Sequence, residues 1–65
     1  MLKREDIHIG KLLRYEMYTN VRQESFVVIV THTEHDGFWI NFHDGDEIFV
    51  WYKYDLDKYE PLEIK

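Results

Sequence analysis

The sequence predicts an all-β domain of five strands with one short helical turn before the last. Three observations carry this. Apolar and polar residues alternate over short stretches, β-branched and aromatic residues dominate those stretches, and turn signals recur at regular spacing. The clearest turn signal is His-Asp-Gly, which occurs at residues 35–37 and again at 43–45. With 65 residues the chain forms a single domain, residues 1–65, whose first six residues are expected to be a flexible N-terminus. A chain of this size buries only about 60% of the surface its unfolded form exposes, so its core is small.

The first strand is expected from Ile7 to about Tyr18, because Ile7, Ile9, Leu13, Tyr15 and Met17 share one parity and Gly10 allows a bend. Residues 19–24 are a polar connection. Ser25 to Thr33 follows as the second strand, and its unbroken run Phe26-Val27-Val28-Ile29-Val30 predicts a strand covered on both faces. The two Asp-Gly pairs supply the positive φ values that tight hairpins need, so each His-Asp-Gly is a turn, and Phe38–Phe42 and Ile48–Tyr52 are the strands they bound. Alternation breaks at Asp55-Leu56-Asp57-Lys58, which suits one helical turn with Leu56 facing inward. Tyr59 to Ile64 reads as a short closing strand that Pro61 restricts to an edge or to a position needing no donor.

This order, together with the stretches "IHIGKLLRYE", "FVVIVTHTEHDGFWINF" and "DEIFVWYKYDLDKYEPLE", resembles the five-stranded SH3-like barrel of short bacterial and bacteriophage proteins over residues 7–64. The resemblance implies a small non-enzymatic module, of the kind a phage uses as an accessory protein to modulate a host factor. It does not extend to the acidic RT-loop motif of peptide-binding SH3 domains, so recognition of proline-rich ligands is not implied.

Composition narrows the function classes. The absence of cysteine excludes disulfides and thiolate metal sites and suits a reducing compartment, so a cytoplasmic location is expected. The longest apolar run, Phe26 to Val30, is far too short for a signal peptide or a membrane span. Thirteen acidic residues oppose eight basic ones, and the imbalance lies in the second half: residues 34–65 carry nine acids and three bases. Such a surface repels phosphate and makes nucleic acid an unexpected partner. An acidic mimic of DNA and a barrel that stacks single-stranded nucleic acid stand as lesser alternatives.

The hairpin from Phe38 to Tyr52 holds the candidate site. If its turn contains three or five residues, Phe38, Ile40 and Phe42 share a face with Ile48, Val50 and Tyr52, while Trp39, Asn41, Phe49 and Trp51 share the other. The first set makes a continuous core face. The second is either covered by the N-terminal strand or left as an exposed aromatic patch, which marks a partner or oligomer surface. The candidate binding residues are therefore Trp39, Trp51 and Phe49, with Tyr52 and Tyr54 at the margin and the turn acids Asp44, Asp46 and Glu47 selecting a basic protein partner. Aromatic rings beside carboxylates attract cations. Self-association through the same patch, giving a homodimer, is the alternative.

Catalysis finds little support. Ser25 is the single serine and has no His-Asp arrangement near it, and the pairs Asp44/Asp46 and Asp55/Asp57 lie in polar turns without a pocket. Four histidines raise the question of a metal, but His35 and His43 sit at opposite ends of one strand, roughly 16 Å apart at about 3.3 Å per residue. His32, Glu34 and His35 are the remaining combination. No enzyme activity, metal or cofactor is expected.

Overall fold

The computed structural model describes residues 2–62. In chain order they form a 3₁₀ turn (Arg4–Asp6), β1 (Leu12–Tyr18), β2 (Gln23–Thr33), β3 (Gly37–Phe42), β4 (Glu47–Trp51), a short helix α1 (Tyr52–Asp55), a second 3₁₀ turn (Leu56–Lys58) and β5 (Tyr59–Pro61). The five strands make one antiparallel sheet in the order β4-β3-β2-β1-β5. The all-β class agrees with the sequence. The sheet is not closed: among the described residues β4 and β5 are its two edges and do not pair.

Curvature of the sheet gives it a concave inner face. Leu13, Val28, Val30, Phe38, Ile40, Val50 and Tyr59 are buried there, with Leu2 and Ile7 capping one end. Cross-strand pairing explains the set, because Leu13 faces Val28, Val30 faces Ile40 and Phe38 faces Val50. Tyr15, Phe42, Tyr52 and Leu56 pack around this centre, which places Leu56 inward as the sequence predicts. Ile48 and Met17 share the inward parity of their strands but lie at the unclosed seam, and both are exposed.

The β3–β4 hairpin closes through a three-residue turn, His43-Asp44-Gly45. Phe42 N–H donates to the Asp46 carbonyl at 2.8 Å, Gly45 N–H donates to the Phe42 carbonyl at 3.0 Å, and Gly45 takes φ 98°. This odd loop length produces the pairs Phe38 with Val50, Trp39 with Phe49 and Ile40 with Ile48, the two-face separation expected from the alternation. Pro61 also behaves as the sequence requires. It lies on the edge strand β5, and since Leu62 N–H donates to the Leu12 carbonyl, Pro61 itself occupies a position of the antiparallel pair that needs no donor.

Several expectations are corrected. The first strand starts at Leu12 rather than Ile7: Ile9 and Gly10 form a turn, and Ile9 is 64% exposed instead of sharing the inward face. Residues 2–6, expected to be flexible, pack onto the fold. Leu2 is buried, and the first 3₁₀ turn is fastened by Lys3 N–H donating to Asp6 Oδ2 at 3.0 Å. The second strand is covered on one face only, because among the described residues nothing lies over the other face of the five-stranded sheet; Val27 and Ile29 are 52% and 39% exposed. Helical structure begins at Tyr52, three residues before the expected turn, and residues 63–64 of the expected last strand lie outside the described residues.

Two stability predictions follow from this packing. Gly37 lies under β4, where a Cβ would collide with the Val50 carbonyl oxygen and stand 2.7 Å from the Phe49 ring. Gly37→Ala is expected to cost about 1–3 kcal/mol, read from the urea midpoint. Burial pushes the Tyr59 hydroxyl well above its ordinary pKa, so the folded state holds this proton more tightly than the unfolded chain does. That contribution is complete below about pH 10 and is lost as pH rises through the raised folded value. Urea midpoints between about pH 9 and pH 12 are expected to fall for the natural chain and to fall less for Tyr59→Phe.

Candidate functional site

The outer face of the hairpin carries the aromatic residues that the core excludes. Trp39 stands opposite Phe49, and Trp51 stands opposite Gly37. The rings meet edge to face, Trp39 to Phe49 at 5.2 Å and Phe49 to Trp51 at 4.9 Å. Edge-to-face contact places the positive rim of one ring against the negative face of the next, so the three form a cohesive unit. Gly37 makes room for it, since any side chain there would displace the Phe49 ring.

Glu34, at the end of β2, completes the unit. A bulge between Val30 and His32 twists the end of this strand, and beyond it the Glu34 carboxylate accepts the Trp39 indole N–H through Oε2 at 2.8 Å. Trp39 is thus fixed in orientation and half-buried, whereas Trp51 is 47% exposed. Glu34, His35, Asp36, Trp39, Phe49 and Trp51 together line an open cleft of about 380 Å³. Among the described residues no lysine or arginine forms an ion pair with Glu34 or Asp36; the His35 imidazole stands 4.0 Å from Asp36 Oδ1.

The turn bearing these acids is fastened from its other side. Arg4 donates through Nη2 to the His35 carbonyl at 2.6 Å, and its guanidinium lies 4.7 Å from the centre of the Tyr52 ring. Glu34 N–H donates to the Gly37 carbonyl and Tyr52 N–H to the Asp36 carbonyl. Backbone and Arg4 hold the turn, while its two carboxylates stay at the cleft.

The candidate residues therefore divide. Trp39, Phe49 and Trp51 come together. Tyr52 turns to the core, its ring 5.6 Å from Phe38, and Tyr54 is exposed in an adjoining hollow with Lys53 Nζ 5.5 Å from its ring centre. Glu47 stands opposite Asn41 on the outer face, beside the trio. Asp44 and Asp46 lie at the β3–β4 turn, at the opposite end of β3 from Glu34 and Asp36 and separated from them by the strand's length of about 16 Å at about 3.3 Å per residue; there Asp44 Oδ1 accepts the Asp46 N–H. The acids that line the cleft together with the rings are Glu34 and Asp36, which alternation could not single out. A hint exists in the sequence, in that both belong to the turn leading into the strand of Trp39.

A larger hollow of about 520 Å³ lies near β1 and β5, lined by Tyr15, Glu16, Met17, Tyr18, Asp57, Lys58 and Glu60. Many of its polar groups satisfy one another or close neighbours. Glu16 accepts from Tyr18 and Gln23, which raises the Tyr18 pKa, and Glu60 accepts from Arg14, which raises the Arg14 pKa. Lys58 is likewise bonded to Asp55. The cleft differs in having negative charge without a basic partner. Among the described residues no group of three histidine, aspartate or glutamate side chains has metal-binding geometry, and Glu34 is engaged by Trp39 rather than gathered with His32 and His35.

No protein-family model matches the chain, and neither the curated proteins nor the solved structures contain a significant match. Among the described residues no helix is long and apolar enough to cross a membrane.

The unequal exposure of the two tryptophans is measurable. Acrylamide is expected to quench the natural chain mainly through Trp51, so Trp51→Phe should leave a Trp39 emission with a distinctly smaller quenching slope. Equal slopes would contradict the geometry.

Proposed function

We propose that the chain is a non-enzymatic binding module of SH3-like type that engages a protein partner through the outer face of its β3–β4 hairpin. The succession of β1 to β4, a helical turn and a closing strand, with the order β4-β3-β2-β1-β5, supports the SH3-like reading even though the sheet remains open. The observation that carries the binding reading is the trio of half-buried Trp39 and Phe49 and exposed Trp51, bordered by Glu34 and Asp36. Aromatic residues in a partly desolvated depression are the usual anchors of protein interfaces. The neighbouring carboxylates favour a basic partner, consistent with a phage-type accessory protein that acts on a host factor.

A second reading, self-association, is favoured by one specific observation. The outer sheet face continues beyond Asn41 to Ile29 and Val27, both exposed, so the apolar surface is wider than the cleft. Light scattering from low to high micromolar concentration separates the two readings, because a constant monomer mass removes the second.

Affinity capture from the source cells tests the first. Trp51→Ala is the suitable variant, since a half-exposed side chain can be removed with little loss of packing. A specific partner is expected to be lost with Trp51→Ala and retained with Asp44→Asn/Asp46→Asn, which lie outside the cleft. Retention by Trp51→Ala, with the fold verified by circular dichroism, would refute the reading.

A further inference from the structure

Resting on the binding face just described, we infer that the cleft receives an arginine side chain of the partner, its guanidinium seated against Trp39, Phe49 and Trp51 with the Glu34 carboxylate as its counter-charge. The chain already seats one of its own guanidinium groups on the opposite side of the same turn. Arg4 lies over Tyr52 and donates to the His35 carbonyl, combining an aromatic face with an oxygen acceptor. The cleft offers the same combination with more of each component: three rings, and a carboxylate in place of a carbonyl.

Glu34 is available for this role. Its Oε2 accepts the Trp39 indole N–H, Oε1 has no hydrogen bond within the protein among the described residues, and no lysine or arginine neutralises it. The indole bond fixes one carboxylate oxygen beside the rings, so an incoming cation meets an acceptor already in place.

Geometry selects the kind of cation. A guanidinium is planar and weakly hydrated, so it stacks on a ring with its face while its edge donates to a carboxylate. An ammonium is a compact, strongly hydrated charge that gains little from an open cleft that leaves it in water. A fully methylated ammonium has no N–H for Glu34 and depends on enclosure by ring faces. Here the rings meet edge to face and leave the cleft open on one side.

The test uses the full chain and short capped peptides, each with one variable residue between glycines. Peptides carrying arginine, citrulline, lysine and trimethyllysine are titrated while the Trp39 indole N–H resonance is followed by NMR. The arginine peptide is expected to shift that resonance, with citrulline and lysine weaker by on the order of ten-fold. Glu34→Gln keeps an acceptor for the Trp39 N–H but removes the charge. It is expected to weaken arginine binding by about ten-fold while leaving citrulline binding unchanged. Equal binding of arginine and citrulline, tighter binding of lysine or trimethyllysine, no shift with any peptide, or no effect of Glu34→Gln would each overturn the inference. Its failure is distinguishable from failure of the binding face itself: a captured partner lost with Trp51→Ala but held by Glu34→Gln keeps the face and removes the guanidinium.

Discussion

The length of the turn at His43-Asp44-Gly45 governs both the core and the outer cluster. Three residues, the last in the left-handed region at φ 98°, bring Phe42 and Asp46 into register and send Phe38, Ile40 and Val50 to one face and Trp39, Phe49 and Trp51 to the other. A slip of one residue on β4 would exchange the faces of that strand. Phe49 would then displace Val50 from beneath Phe38, and the trio would lose two of its rings. One backbone geometry thus decides whether the chain has a core and whether it has a cleft, and the two cannot be varied independently.

The small size of the domain explains why an aromatic cluster remains outside. Among the described residues the core is filled by nine buried apolar side chains, of which only Phe38 and Tyr59 are aromatic, with Tyr15, Phe42 and Tyr52 packed around them. Both tryptophans are left over. A second layer would cover them, but among the described residues five strands and three short helical segments provide none. The cluster is made tolerable in water by its own contacts: each edge-to-face pair contributes about 0.5–1.5 kcal/mol beyond area burial, and the Trp39 N–H is satisfied by Glu34. What these contacts cannot do is cover Trp51, which retains a large exposed surface.

Much of this was legible in the sequence, and what was not has identifiable causes. The hairpin was readable because both its signals are local, namely period-two alternation and Asp-Gly. Pro61 marked an edge for an equally local reason, its missing donor. The run Phe26–Val30 misled because an apolar run reports capacity for burial, whereas the number of layers is a property of the whole chain; Val27 and Ile29 are exposed for want of a layer. Leu2 could not be singled out because one leucine among charged residues carries no periodicity, and its burial is a tertiary contact with the core cluster. Glu34 and Asp36 were passed over in favour of Asp44, Asp46 and Glu47 for a related reason. Glu34 meets Trp39 from beyond a bulge in β2, which no residue pattern announces.

The turn from Glu34 to Gly37 then joins parts that sequence treats as separate. Its backbone is engaged by Arg4, by its own Glu34–Gly37 bond and by Tyr52 N–H, while its carboxylates border the rings. Such a division suits a binding element: the main chain is committed to the fold, so ordering it is part of folding, and the side chains remain free for another molecule. It also makes the N-terminal segment a support of the cleft without lining it. Leu2 anchors the segment in the core, the first 3₁₀ turn sets the position of Arg4, and Arg4 restrains His35 between Glu34 and Asp36. Loosening that segment would leave the rings of Trp39, Phe49 and Trp51 in place on their strands and the two backbone bonds of the turn intact, but would remove the side-chain restraint on His35 between the two acids that border the rings.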